Sequence, residues 1–237
     1  MSRLALAPDL DVEALAAAFA VRRRLRIPGV LAPDSAEAVT AAMEAFNGWS
    51  LAVNAGGEQF ELPLKDGRAA DPGKQSWIDG ARLDAADGRM QYLYDTRRML
   101  VENEAGTPID IVGEVPVFLN SEPFLDFVRK VTGDPRIALV DAQGTRYRTG
   151  QVLTTHDDNL AEKGRLYAYV LSLTREWYAD WGGVLIFPGE DGHIDQGFVP
   201  SFNGLNLFAV PMAHAVTQVA TFAARDRFSI TGWLRTG

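Results

Sequence analysis

The chain has three histidines, His156, His193 and His214. The first closes an extended, β-branched and apolar stretch, Tyr147-Arg-Thr-Gly-Gln-Val-Leu-Thr-Thr-His156, and is followed by Asp157-Asp158-Asn159. Side chains alternate across a strand, so this spacing places His156 and Asp158 on one face and Asp157 on the other. An imidazole and a carboxylate so arranged can reach one cation from the same side. His214, in Val210-Pro-Met-Ala-His214-Ala-Val216, can supply a third donor. Two histidines and one carboxylate on one face of an octahedral ion suit Fe(II) and leave three positions for other ligands.

Taken singly, each of these residues is an ordinary polar group at a strand end. The ordered set points to a metal because a strand bearing arginine, Arg225-Asp-Arg227-Phe-Ser-Ile-Thr231, follows the second histidine. His193 lies in Gly189-Glu-Asp-Gly-His193, a hairpin-turn composition, and is read as exposed. A site of His156, Asp158 and His193 is the competing assignment, and it lacks that downstream strand.

The elements that must position these residues follow from the hydrophobic pattern. Leu10, Ala14, Leu15, Ala18 and Phe19 make an apolar stripe at helical spacing over residues 9–23, with acids at its start and arginines at its end. Residues 25–30 read as a short strand. Asp34-Ser-Ala-Glu37 resembles a capping box and opens a second helix to about Phe46. Residues 51–90 are crowded with turn dipeptides, which predicts loop and short hairpin, with a substrate-facing flap somewhere within 54–108. Gln91-Tyr-Leu-Tyr94 reads as a strand entering the core, and residues 122–133 as a helix stopped by Gly133. From Ile137 onward strand follows strand, at 137–142, 151–157, 165–173, 182–187, 195–200, 205–210, 214–222 and 226–235. Eight short strands after a helical preface predict a mainly β, α+β chain built as a jelly roll, its N-terminal helices against one sheet. No linker or repeat divides it, so residues 1–237 are expected to form one domain. Residues 1–50 give helical support, 51–110 a loop- and flap-rich region, and 137–237 the jelly-roll core.

The sequence resembles the 2-oxoglutarate/Fe(II)-dependent oxygenases of the prolyl 4-hydroxylase-like group. Tyr147-x-x-Gly150-x-x-Leu153-x-x-His156-x-Asp158, Arg165-Leu-Tyr-Ala-Tyr-Val-Leu171, Trp177, Trp181-Gly-Gly-Val-Leu185, the strand from Asn203 to Pro211, His214-x-Val216 and Arg227-Phe-Ser-Ile-Thr-Gly-Trp233 carry the resemblance. It covers residues 90–237 well and residues 24–50 loosely. It implies a double-stranded β-helix, the cupin-like jelly roll, with Fe(II) held by His156, Asp158 and His214. It implies further that 2-oxoglutarate and O2 are co-substrates, with ascorbate as reductant. The distal carboxylate of 2-oxoglutarate needs a fixed, always-charged fork, which arginine supplies better than lysine. Arg225 and Arg227 share a strand face, so parity does not separate them, and the resemblance favours Arg227. Tyr147 is placed on the same carboxylate, and Thr231, at period two from Arg227, on the pocket wall. The implied reaction hydroxylates a C–H bond, foremost of a prolyl residue in a peptide or protein. A free amino acid or other small molecule is the alternative substrate, and a non-catalytic jelly-roll binding module the alternative class.

Composition narrows the partners. At 47% hydrophobic and 23% charged residues the chain can bury a full core. A net charge of -8 argues against a broad phosphate-backbone contact, so no nucleic-acid partner is expected. No run approaches about 20 apolar residues, so no membrane span is expected either. The absence of cysteine fits a reducing compartment, and the acids ahead of the first apolar run are the reverse of a secretory leader. A cytoplasmic monomer or homodimer is the expectation.

Overall fold

A computed structural model describes residues 3–55, 57–99 and 111–237. Residues 100–108 of the expected flap lie outside them. Among the described residues, fourteen strands form one antiparallel sheet that rolls into a nearly closed barrel. The eight jelly-roll strands are β7 (Gln143–Tyr147), β8 (Val152–His156), β9 (Arg165–Ser172), β10 (Leu185–Pro188), β11 (Ile194–Phe198), β12 (Gly204–Ala209), β13 (His214–Val216) and β14 (Arg227–Arg235). They divide into a larger sheet, β12-β9-β14-β7, and a smaller one, β8-β13-β10-β11. The larger is extended at one end by β1 (Arg24–Pro28). At the other, β5 (Tyr92–Arg98) pairs with both β7 and β8 and so joins the two sheets. The free edges face each other across a seam of side chains. There Arg24 Nε donates to Gln196 Oε1 (2.8 Å) and Arg26 Nη1 to the Val199 carbonyl (3.3 Å).

Strand β9 shows why the layers stack as they do. Its outward residues Tyr167, Tyr169 and Leu171 join one apolar core, and its inward residues Ala168 and Val170 join another. Helices α1 (Val12–Arg22), α2 (Pro33–Ala45), α4 (Glu114–Leu119) and α5 (Glu122–Thr132) cover the outer face through Phe19, Val39, Met43, Phe118, Phe124 and Val128. The N-terminal helices thus pack on one sheet, as the pattern predicts. Gly133 ends α5 in a left-handed conformation (φ 71°), which glycine adopts without Cβ strain.

Three expectations need correction. Residues 51–90 are more regular than a loop region. β2 (Ser50–Ala55) and β3 (Glu58–Lys65) form a six-pair ladder, and the twelve-residue helix α3 (Gln75–Ala86) packs on β2 through Ile78 and Ala81. Its Asp79-Gly80 reads as a turn in isolation, and tertiary burial overrides that local preference. The single strand expected over 137–142 is only β6 (Leu139–Val140), after which the chain starts again as β7. The strand expected over 214–222 stops at Val216, and the chain beyond it continues through isolated backbone hydrogen bonds, from the Thr217 amide to the Val184 carbonyl (3.0 Å) and from the Val219 amide to the Gln151 carbonyl (3.1 Å).

The join between sheets rests on a buried carboxylate. Asp95 on β5 has no exposed surface. It accepts from Arg146 Nε and Nη2 (2.9 and 2.6 Å), Arg148 Nε and Nη2 (2.6 and 3.0 Å) and Gln151 Nε2 (2.7 Å). Those partners flank Tyr147 and lead into β8, so the network fixes the two strands that carry the candidate site. Removing one member of a buried ion pair strands the others. Asp95→Ala is therefore expected to lower unfolding free energy by about 3–5 kcal/mol in urea titration. A loss under about 1 kcal/mol would show that the arginines find water instead.

Candidate active site

His156 ends β8 and His214 begins β13, and the two are direct partners in the ladder. Their ring centroids lie 4.1 Å apart. Asp158 joins them by a different route from strand alternation. Its backbone is left-handed (φ 61°), two residues beyond the strand, and this turn swings the carboxylate back over both rings. Aspartate tolerates that conformation better than most residues. Asp158 Oδ1 is 3.6 Å from His156 Nε2, and Oδ2 is 3.4 Å from His214 Nε2. One ligand atom from each of the three lies within 4.8 Å of the others.

The protonation pattern of the rings follows from their other nitrogens. His156 Nδ1 is 3.0 Å from the Thr154 carbonyl and His214 Nδ1 is 2.8 Å from the Met212 carbonyl. A carbonyl only accepts, so each Nδ1 carries the hydrogen and each Nε2 presents a lone pair to Asp158. Burial, then the neighbouring His156, pushes the His214 imidazole down to about 4, with Asp158 opposing. At neutral pH the ring is therefore uncharged. Three potential lone-pair donors thus converge, an arrangement that a cation satisfies. The donor set fits Fe(II).

A cavity of about 430 Å³ runs from these three residues to Arg227, with Tyr147 and Thr231 on its wall. Arg227 opens β14 opposite Tyr147, and 2% of it is exposed. Its guanidinium carbon lies 4.8 Å from the Tyr147 ring centre, Nη1 donates to Ser229 Oγ (3.4 Å), and Nε has no partner. No carboxylate pairs with it among the described residues. Burial lowers its pKa, yet an arginine remains charged. A buried, unpaired guanidinium is costly unless an anion meets it, so the pocket end suits a carboxylate. Burial also raises the Tyr147 phenol, which stays protonated and can donate.

The residues that parity left open are separated by burial. Arg225 is exposed outside the barrel and pairs with Glu176. His193 is exposed on the β10–β11 hairpin, away from the cluster. Asp157 and Asn159 are exposed, and Asp157 Oδ1 caps the Asn159 amide (3.0 Å). The cavity has further walls that sequence reasoning assigned no role. Tyr92 and Tyr94 line it from β5, and Tyr94 stacks on Tyr147 at 5.2 Å. Arg165 lies flat on Trp233, its guanidinium carbon 3.4 Å from the ring centre, and donates to the Asp158 carbonyl (3.3 Å). The signals were present: tyrosines at period two, and a charge opening an otherwise apolar strand.

Residues 142–235 match the model of the 2OG-Fe(II) oxygenase superfamily. The prolyl 3-hydroxylase OGFOD1 of Mus musculus is 33% identical over 119 residues, which are 47% of this chain and 21% of that protein. The match thus spans about a fifth of the curated relative's length. Among solved structures, a Pseudomonas putida prolyl-4-hydroxylase superposes with a TM-score of 0.59 at 16% identity, over 95% of this chain and 99% of the other. A Trichoplax adhaerens prolyl hydroxylase, in complex with a peptide fragment of the hypoxia inducible factor oxygen degradation domain, gives 0.57 at 14% identity, over 95% and 89%. At such identities the likeness is one of fold, and the shared fold is the jelly roll.

Proposed function

We propose that the chain is a 2OG-Fe(II) oxygenase, a reading that the match of residues 142–235 supports, and that it couples oxidative decarboxylation of 2-oxoglutarate to hydroxylation of a prolyl residue in a peptide or protein. The observation that carries this is the pairing, across one cavity, of three convergent lone-pair donors with the buried Arg227 guanidinium, whose Nε has no partner and which no carboxylate meets among the described residues. His156, Asp158 and His214 would hold Fe(II), while Arg227, Tyr147 and Thr231 would receive the distal carboxylate of 2-oxoglutarate. When bound there, iron and the 2-oxo acid together use dioxygen to form succinate and carbon dioxide and to place one oxygen atom on a substrate C–H bond.

The chain's own residues contribute orientation and dryness. The carbonyls of Thr154 and Met212 fix the tautomer of both imidazoles, so neither ring can turn its lone pair away. Arg227 sets one end of the co-substrate and the triad the other, which leaves one register for the reacting end. Leu185, Phe208 and Val216 wall the cavity with apolar surface.

Substrate class is inferred from the cavity lining. Arg165 Nε and Trp233 Nε1 are buried donors without partners, on side chains that stack beside Asp158. The aromatic walls (Tyr92, Tyr94, Trp233) suit an apolar ring, which a prolyl residue provides. The relative and the structures named above are prolyl hydroxylases by name, which supports the same class. Ascorbate is the proposed reductant. A cytoplasmic monomer or homodimer is the proposed working state, which the absence of cysteine suits. Among the described residues no helix is long and apolar enough to cross a membrane.

The test is to incubate the protein with Fe(II), 2-oxoglutarate, ascorbate and a proline-rich peptide pool, then follow succinate and peptide mass together. Succinate formation with prolyl residues heavier by one oxygen atom is the expected result, and fragmentation gives the ring position. Succinate with oxygen added only to free amino acids would replace the peptide by a small substrate. No succinate from folded, iron-loaded protein would favour a binding module.

A further inference from the structure

Resting on the assignment of Arg227 to the distal carboxylate, we propose that the Gly182-Gly183 turn and Trp177 behind it set the length of the 2-oxo acid the cavity accepts, with Gly183 as the gauge. Gly183 lies directly under the Arg227 stem in a left-handed conformation (φ 62°). A Cβ there would stand 3.0 Å from Arg227 Cδ, 3.3 Å from Trp177 Cζ2 and 3.4 Å from Val219 Cγ2. Only the missing side chain lets the arginine sit this deep.

The turn cannot retreat to make room. Trp177 Nε1 donates to the Gly182 carbonyl (2.9 Å), the Gly183 amide donates to the Thr217 carbonyl (3.1 Å), and the Ala220 amide donates to the Trp181 carbonyl (2.9 Å). A Cβ on Gly182 would fall 2.0 Å from the Gln218 carbonyl oxygen, so the loop after β13 already presses on the turn from behind. A methyl on Gly183 is therefore relieved mainly by moving the Arg227 stem forward into the cavity that it lines. The span between the guanidinium and the triad then shortens. Thinning Trp177 does the opposite: Trp177→Phe removes the Cζ2 edge and the Nε1 donor, and opens space into which Arg227 can recede.

Calorimetric titration of Mn(II)-loaded protein with oxaloacetate, 2-oxoglutarate and 2-oxoadipate, which differ by one methylene each, reads this span without turnover. Wild-type protein is expected to prefer 2-oxoglutarate. Gly183→Ala is expected to move the oxaloacetate-to-2-oxoglutarate affinity ratio upward by about tenfold, the scale of one methylene in a fitted site. Trp177→Phe is expected to move the 2-oxoadipate-to-2-oxoglutarate ratio upward instead. Variants that weaken all three acids by one common factor would reduce the turn to mere support and overturn the proposal. Should Gly183→Ala fail to fold, the ratio for Trp177→Phe decides alone. Wild-type protein that binds none of the acids would remove the co-substrate assignment itself, a failure distinct from unchanged ratios.

Discussion

Asp158→Ala is expected to cut Fe(II) affinity by more than about 100-fold and to end succinate formation, with the fold intact. The lower bound comes from the outer shell: losing a group that merely orients a ligand already costs about 10–100-fold in metal affinity. Asp158 is the one negative charge in the cluster, and its two oxygens face His156 on one side and His214 on the other. Without it, two neutral imidazoles remain, and the site has neither the charge nor the third ligand that holds an ion to one face. Its side chain is not a hub of the core, so unfolding should change far less than metal binding. Fe(II) affinity by equilibrium competition with a chelator, beside urea unfolding of the metal-free protein, separates the two. Retained affinity and turnover in Asp158→Ala would remove the carboxylate from the site.

Arg227→Ala is expected to weaken 2-oxoglutarate binding by roughly 30-fold to a few thousand-fold, corresponding to about 2–5 kcal/mol for a buried charged hydrogen-bonding partner. Arg225→Ala should leave that affinity within about twofold, since an exposed pair such as Arg225 with Glu176 contributes about 0–1 kcal/mol. The contrast is informative because the two arginines lie two residues apart and share their chemistry, and differ only in which side of the barrel wall they occupy. Titration of the co-substrate into metal-loaded protein gives both values. Equal losses would mean that the carboxylate is held elsewhere.

How much of this was legible in the sequence differs between strand and turn. The β-branched runs from Ile137 onward and the apolar stripe ending at Phe19 carry their periodicity openly, and the jelly roll with helices on one face follows from them. The approach of His156 to His214 depends on ladder register across the smaller sheet, which no local pattern encodes. Ordered spacing could suggest it and only pairing could produce it. Asp158 was foreseen as a donor by the wrong geometry: alternation predicts a strand face, and a left-handed turn delivers the carboxylate. Helix α3 stayed hidden because Asp79-Gly80 looks like a turn until β2 offers Ile78 and Ala81 a surface to cover. The choice between Arg225 and Arg227 needed burial, a property of the whole barrel. Gly183 needed more still, because its meaning lies in the Cβ it lacks beneath a side chain 44 positions away.

The central claim is that two imidazoles and one carboxylate, brought together from separate strands, hold a single iron. Crystals grown without oxygen in Fe(II) and 2-oxoglutarate, with diffraction recorded on both sides of the iron absorption edge, test it most directly. One anomalous peak is expected about 2.0–2.2 Å from His156 Nε2, an Asp158 carboxylate oxygen and His214 Nε2, with difference density for the co-substrate reaching toward Arg227. Anomalous signal at some other place, or none in crystals that demonstrably took up iron, would contradict the assignment.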